Sequence, residues 1–75
     1  MYTGLFTYTD GSELCVHHVE EVEYGLSERV KVKGTDILKH FFPLNRDYSI
    51  RSSDGNATAS AINLRSIKFV SEEND

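Results

Sequence analysis

The sequence predicts a small, mainly β domain: a bent antiparallel sheet or an SH3-like or Sm-like barrel of five or six short strands with one short helix. Apolar and polar residues alternate with a period of two along most of the chain, and Gly-containing turns separate the alternating segments. Helical spacing occurs only at about residues 36–42. A chain of 75 residues with one cysteine has room for one modest core and no internal disulfide.

The first hairpin is predicted from residues 2–8 and the turn Thr9-Asp10-Gly11 that follows them. A two-residue Asp-Gly loop would split the apolar residues between two faces. A three-residue loop places Phe6 opposite Leu14 and keeps one apolar face. It also gives Gly11 the left-handed conformation that a G1 bulge requires, so we expect the three-residue loop.

The second and third strands are predicted to carry opposite charges. Residues 13–24 alternate but break their pattern near Glu20, so we expect one long strand that is bulged or bent there. Residues 29–33 alternate basic residues with valines. With residues 25–27 as the loop, the expected cross-strand pairs are Val22 with Val30, Glu23 with Arg29, and Glu21 with Lys31.

The helix is predicted from a change of period after residue 34. Thr35 can cap it, and the apolar residues that follow lie four apart. Pro43 disfavours the helical conformation at Phe42, so the predicted helix, about residues 36–42, ends there. We expect Phe41 and Phe42 to plug one end of the sheet.

Three more strands complete the predicted fold, at residues 48–51, 57–62 and 67–70. The small residues of the second of these suit a crowded barrel interior or close helix packing. Residues 1–70 are expected to form a single domain, and residues 71–75 a disordered acidic tail.

Charge is distributed unevenly in a chain of net charge -4. From Asp10 to Glu28 there are six acids and no Lys or Arg, whereas from Arg29 to Lys68 there are eight bases and three acids. The two blocks either form faces for different partners or neutralise each other inside one sheet. The predicted register favours neutralisation.

Composition excludes several classes of protein. Eight aromatic residues argue against disorder over the whole chain, and no apolar run approaches the roughly 18 residues of a membrane span. Met1 is followed by no basic and apolar leader pattern, and the lone Cys15 is typical of a reducing compartment. We therefore expect a cytoplasmic protein without membrane contact.

Catalytic and metal chemistry has little support in the sequence. Cys15, His17 and His18 are the only cluster of soft ligands, and a regular strand would bring at most two of them together. Acids flank the thiol in sequence, which disfavours the thiolate that a nucleophile needs. The adjacent carboxylates lie on opposite strand faces or in the tail. We expect no enzyme, no metal and no cofactor.

A nucleic-acid-binding barrel is the alternative function. Its candidate basic row consists of Arg29, Lys31, Lys33, Arg65 and Lys68. A net charge of -4 and an isoelectric point near 5.2 make attraction to phosphate weak, and Glu21 and Glu23 would cancel part of the row.

The sequence favours a protein-interaction or self-assembly module, typical of accessory proteins of bacteria or their viruses. A domain this small is marginally stable alone, which makes self-association a common remedy. The 57–62 segment has no charged residue, so it pairs inside a closed barrel or across a subunit boundary of a homodimer or larger ring. The candidate contact residues are Ala57, Ala59, Ala61, Ile62, Phe41 and Phe42.

Overall fold

The computed structural model describes residues 1–72, which form six antiparallel strands in one sheet and one short helix. In chain order these are β1 (Tyr2–Tyr8), β2 (Glu13–Tyr24), β3 (Val30–Lys33), α1 (Asp36–Lys39), β4 (Tyr48–Ser52), β5 (Gly55–Ala59) and β6 (Leu64–Ser71). The spatial order is β5-β4-β2-β1-β6, with β3 paired to β2 off this path. The predicted mainly β, bent sheet is confirmed, and within residues 1–72 no β5–β6 pairing closes it into a barrel.

The bend lies in β2, which takes part in three strand pairings. Val19 lies opposite both Tyr2 of β1 and Ser52 of β4. Beyond this point β2 leaves β1 and continues between β3 and β4. The register shifts between Val19 and Glu21, and His18 has a φ of 61°. The predicted irregularity near Glu20 is confirmed.

The first hairpin has the predicted three-residue loop. Phe6 lies opposite Leu14, and Gly11 has a φ of 89°. The N–H of Gly11 donates to the carbonyl of Tyr8 at 3.0 Å, and the N–H of Tyr8 donates to the carbonyl of Ser12 at 2.9 Å. The left-handed glycine therefore closes the turn without splitting the apolar face.

The predicted register between β2 and β3 is wrong by two residues. The observed partners are Val22 with Val32, Glu23 with Lys31, Glu21 with Lys33, and Tyr24 with Val30. The loop spans residues 25–29, because Arg29 folds back and donates from Nη1 to the carbonyl of Gly25. A shift of two keeps every side chain on its face, so acids still lie opposite bases.

One side of the sheet carries the hydrophobic core. Phe6, Val19 and Val22 are completely buried, and Ile37 of α1 is 1% exposed. Across the second half of β2, the core side consists of two rows, Val32–Val22–Ile50–Ala57 and Val30–Tyr24–Tyr48–Ala59. The Tyr48 hydroxyl donates to the carbonyl of Pro43, and burial raises the pKa of this hydroxyl.

The helix ends three residues before the predicted end. His40 is already extended, with a φ of -76° and a ψ of 143°, and Thr35 makes no side-chain capping bond. His40 Nε2 lies 2.7 Å from the Tyr24 hydroxyl, and Phe42 packs against Phe69 with ring centroids 5.1 Å apart. These tertiary contacts replace the last helical turn.

The last two strands differ from their predicted bounds. Residue 62 lies outside β5, because the N–H of Leu64 donates to the carbonyl of Ala61 at 3.2 Å and Asn63 has a φ of 63°. Ser71 is the last residue of β6, and Glu72 hydrogen-bonds to the sheet. The rest of the predicted tail, residues 73–75, lies outside the described residues.

Candidate interaction surfaces

An open groove of about 430 Å³ lies between β6 and the segment of residues 37–44. We call it the apolar groove. On the α1 side it presents Leu38, Phe41 and Leu44, whose exposed fractions are 49%, 85% and 42%. Exposed apolar side chains that cluster in one concavity are unusual on a monomer and are typical of contact surfaces.

The two predicted plug residues have different environments. Phe42 is half-buried and contacts Tyr48 and Phe69, with ring centroids 5.8 Å and 5.1 Å away. The Phe41 ring is 85% exposed and lines the apolar groove. Phe42 therefore anchors the segment to the core, whereas Phe41 is available to another molecule.

The opposite wall of the apolar groove is the outer edge of β6. Residues 65–69 all line it. Because successive side chains of a strand point to opposite faces of the sheet, a groove lined by five consecutive residues must run along the strand edge. The N–H of Glu72 donates to the carbonyl of Met1 at 3.1 Å. Because such bonds alternate along an antiparallel pair, the backbone N–H and C=O of Ile67 and Phe69 point away from β1.

The apolar groove has a basic rim. Arg65 and Lys68 line it together with the His40 ring, and none of its lining residues in the described part of the chain, residues 1–72, is acidic. Both basic side chains are exposed, and neither makes an ion pair within residues 1–72. The groove is thus a positive site on a chain of net charge -4.

The opposite side of the sheet bears paired charges. Two rows cross β3, β2, β4 and β5, namely Lys33–Glu21–Arg51–Asn56 and Lys31–Glu23–Ser49–Thr58. We call this the polar sheet face. Arg51 Nη2 donates to Glu21, which is 8% exposed, and Arg29 Nε donates to Glu23 Oε2 at 3.0 Å. The bond from Arg29 lowers the pKa of Glu23.

The predicted basic row does not lie on one strand or on two paired strands. Arg29, Lys31 and Lys33 belong to the loop before β3 and to β3 itself, next to Glu21 and Glu23. The remaining two bases, Arg65 and Lys68, line the apolar groove on β6, which pairs with β1 and not with β3.

The predicted self-association segment lies at the other edge of the sheet. β5 is a terminal strand and contains no charged residue. Ala59 is buried at 2% exposure, Ala57 and Ala61 are half-buried, and Ile62 is 75% exposed in the turn that follows. The outer edge of β5, which no strand of residues 1–72 covers, therefore offers the backbone groups of a strand that has no charged side chain.

Glu72 closes a polar cluster that we did not predict. Its Oε2 accepts hydrogen bonds from the His18 N–H at 2.7 Å and from the Thr3 hydroxyl at 2.5 Å. Its Oε1 lies 3.0 Å from His18 Nδ1, and His18 Nε2 lies 3.7 Å from Asp54 Oδ2. The bond from the His18 N–H, followed by that from Thr3, lowers the pKa of Glu72 to about 2.

Cys15 and His17 lie beside this cluster. Cys15 is an exposed free thiol whose Sγ is 3.7 Å from His17 Nε2. The bulge in β2 brings the rings of His17 and His18 to a centroid distance of 6.2 Å. Nowhere in residues 1–72 do three His, Cys, Asp or Glu side chains form a group that could hold a metal ion.

Comparison of the chain with protein families, with curated proteins and with solved structures finds no match. Among the described residues, no helix is both long and apolar enough to cross a bilayer. The geometry of the two sheet edges and of the apolar groove is therefore the basis for a functional proposal.

Proposed function

We propose that this chain is a small, non-enzymatic, cytoplasmic protein-interaction module whose contact surface is the apolar groove. The observation that carries the proposal is the 85% exposed ring of Phe41. It lies beside two further exposed leucines and faces the outer edge of β6, along which no strand within residues 1–72 pairs. A large aromatic in a concavity is the usual anchor of a protein contact, because its burial removes much apolar area from water at a low cost in entropy.

Self-assembly is the second part of the proposal. The uncharged edge of β5 supports a homo-oligomer in which two such edges pair across a subunit boundary. It involves a different edge of the sheet from the apolar groove, so the two contacts are compatible in one assembly.

Nucleic-acid binding has less support than protein binding. Two arginines are already bonded to acids of the polar sheet face: Arg29, from the loop before β3, to Glu23, and Arg51 to Glu21. Lys31 and Lys33 make no ion pair within residues 1–72, but they lie opposite Glu23 and Glu21, so a polyanion approaching them would also meet these two carboxylates.

A comparative capture experiment tests the proposal. The tagged wild-type chain, Phe41→Ser and Leu26→Ser are each incubated with nuclease-treated native lysate, and the retained proteins are identified. Leu26 is 93% exposed in the 25–29 loop and does not line the apolar groove, which makes it a matched control. We expect a partner that the wild type and Leu26→Ser retain and Phe41→Ser loses. Equal retention by all three chains would contradict the proposal.

A further inference from the structure

We propose that the apolar groove binds an extended polypeptide segment of alternating acidic and apolar residues, which pairs with β6 as an added strand. The inference rests on the proposed function and specifies the chemistry of the partner. It follows from three properties of the groove: the direction of its backbone groups, the sign of its charge and the arrangement of its side chains.

The backbone of β6 provides the binding mode. The N–H and C=O of Ile67 and Phe69 point away from β1, and no other strand within residues 1–72 pairs with this edge. An extended segment laid along the apolar groove completes these hydrogen bonds, as in the recognition of peptides by strand addition. A helical partner would leave them to water.

The charge of the apolar groove selects the sign of the partner. Arg65 and Lys68 are exposed, make no ion pair within residues 1–72 and have no acidic neighbour among the lining residues. Screening limits the influence of the acidic regions elsewhere, because exposed charges act over about 10 Å at 0.1 M salt. Carboxylates on the partner therefore meet an attractive local field.

The side chains of β6 set the spacing of the partner's residues. Ile67 and Phe69 are half-buried on the core side, while Ser66 and Lys68 are exposed on the other side. Residues paired with Ile67 and Phe69 lie towards Phe41 and must be apolar, whereas those paired with Ser66 and Lys68 are best acidic. Since neighbouring strand residues face opposite sides, the partner alternates apolar and acidic residues.

A second copy of the chain fits this edge poorly. An antiparallel β6–β6 pair centred on Lys68 would oppose two like charges. A single-stranded nucleic acid would satisfy the two bases but not the outward N–H and C=O groups or the apolar lining. Both occupants are outcomes of the experiment below that would overturn the proposal.

Three fluorescent probes test whether the groove selects acidic partners: peptides of about eight residues that alternate Val with Glu or Val with Lys, and a single-stranded oligothymidylate. We expect the Glu peptide to bind at least about tenfold more tightly than the Lys peptide at about 0.1 M salt. Lys68→Glu should reverse this preference, whereas Lys33→Glu, on the polar sheet face, should not change it. Equal affinities for the two peptides, stronger binding of the oligothymidylate, or a concentration-dependent β6 dimer would overturn the proposal.

Strand addition is tested separately with two isomers of the Glu peptide, N-methylated at alternate sets of nitrogens. One set faces β6 in the bound strand and the other faces away, so we expect only one isomer to bind. Binding should also slow the hydrogen exchange of the Ile67 and Phe69 amides. If both isomers bind and exchange is unchanged, strand addition is wrong. The proposed function is tested independently by the capture experiment. If strand addition fails but Phe41→Ser still loses a lysate partner, the proposed function stands; if Phe41→Ser retains every partner, the proposed function is wrong as well.

Discussion

The ring of Phe69 lies directly against Gly4, its cross-strand partner on β1. A Cβ atom at position 4 would lie 2.5 Å from Cε1 of this ring and 3.1 Å from Cδ1. The ring also meets Phe6 edge-on at 5.9 Å and Phe42 at 5.1 Å. The Phe69 ring therefore occupies the space that a side chain at position 4 would fill. From there it contacts Phe6 in the core and Phe42 in the segment that bears Phe41.

We predict that Gly4→Ala destabilises the domain. The added methyl must displace an aromatic ring that is held by two others, and overpacking of this kind costs about 1–3 kcal/mol. The free energy of unfolding is measured by urea denaturation. Phe69→Leu in the Gly4→Ala background should recover part of the loss, because the shorter side chain makes room for the methyl. A Gly4→Ala protein as stable as the wild type would show that the ring moves freely.

The first hairpin could be predicted from the sequence because its determinants are local. The position of Gly11 and the need to keep Phe6 and Leu14 on one face select a single loop length. The β2–β3 register could not be predicted in the same way. It depends on Arg29 turning back to the carbonyl of Gly25 and to Glu23, a contact that the alternation of valines and lysines does not reveal.

The candidate site could be predicted in its parts but not as a whole. The sequence names Phe41 as a candidate protein-contact residue, and it names Arg65 and Lys68 only as candidates of the alternative nucleic-acid function. Their meeting in the apolar groove depends on the packing of residues 37–44 against β6, which are far apart in sequence. The sequence predicts a disordered tail from residue 71, because its local pattern does not show that β6 continues to Ser71 and that Glu72 accepts a hydrogen bond from the distant His18 N–H.

We predict that replacing the two arginines bonded to acids of the polar sheet face, Arg51 and Arg29, has unequal effects on stability. Arg51→Ala leaves Glu21, 8% exposed, without its bonded partner, and a poorly solvated charge without a partner costs about 1–3 kcal/mol. Arg51 itself is 61% exposed, so we expect the lower end of this range. Arg29→Ala should cost less and should vary more with salt, because the carboxylate that it leaves unpaired, Glu23, is 27% exposed against 10% for Glu21. Urea denaturation at low and high salt distinguishes them, and equal losses would contradict the prediction.

We predict that Glu72 makes stability depend on pH in the acidic range. Its pKa is about 2 in the folded chain against an ordinary 4.5, so the folded state favours the ionised form. The resulting stabilisation is complete above about pH 4.5 and is lost as the pH falls through 2. Glu72→Gln should therefore be less stable than the wild type at pH 7, and the difference should shrink between pH 4.5 and pH 2.

Thermal denaturation across this range checks the Glu72 prediction. Glu20→Gln is the matched control, because Glu20 is an exposed carboxylate that makes no ion pair within residues 1–72. The melting temperature of Glu20→Gln should differ little from that of the wild type, and this difference should not change between pH 4.5 and pH 2. If the melting temperatures of Glu72→Gln and the wild type differ by the same amount at every pH down to 2, the carboxylate is not bound to His18 and Thr3.

We predict that the chain forms a homo-oligomer at high micromolar concentration through the edge of β5. Within residues 1–72 the strand Gly55–Ala59 is paired along one edge only, and it carries no charge, so an added strand gains hydrogen bonds without meeting repulsion. Thr58→Lys places a charge on the exposed side of this strand and should weaken the association, because two such lysines come close in an antiparallel pair. Thr58→Ser keeps the hydroxyl and should associate like the wild type. Sedimentation velocity measures the oligomeric state of the wild type and of both variants. A wild-type chain that stays monomeric at high micromolar concentration would contradict the prediction.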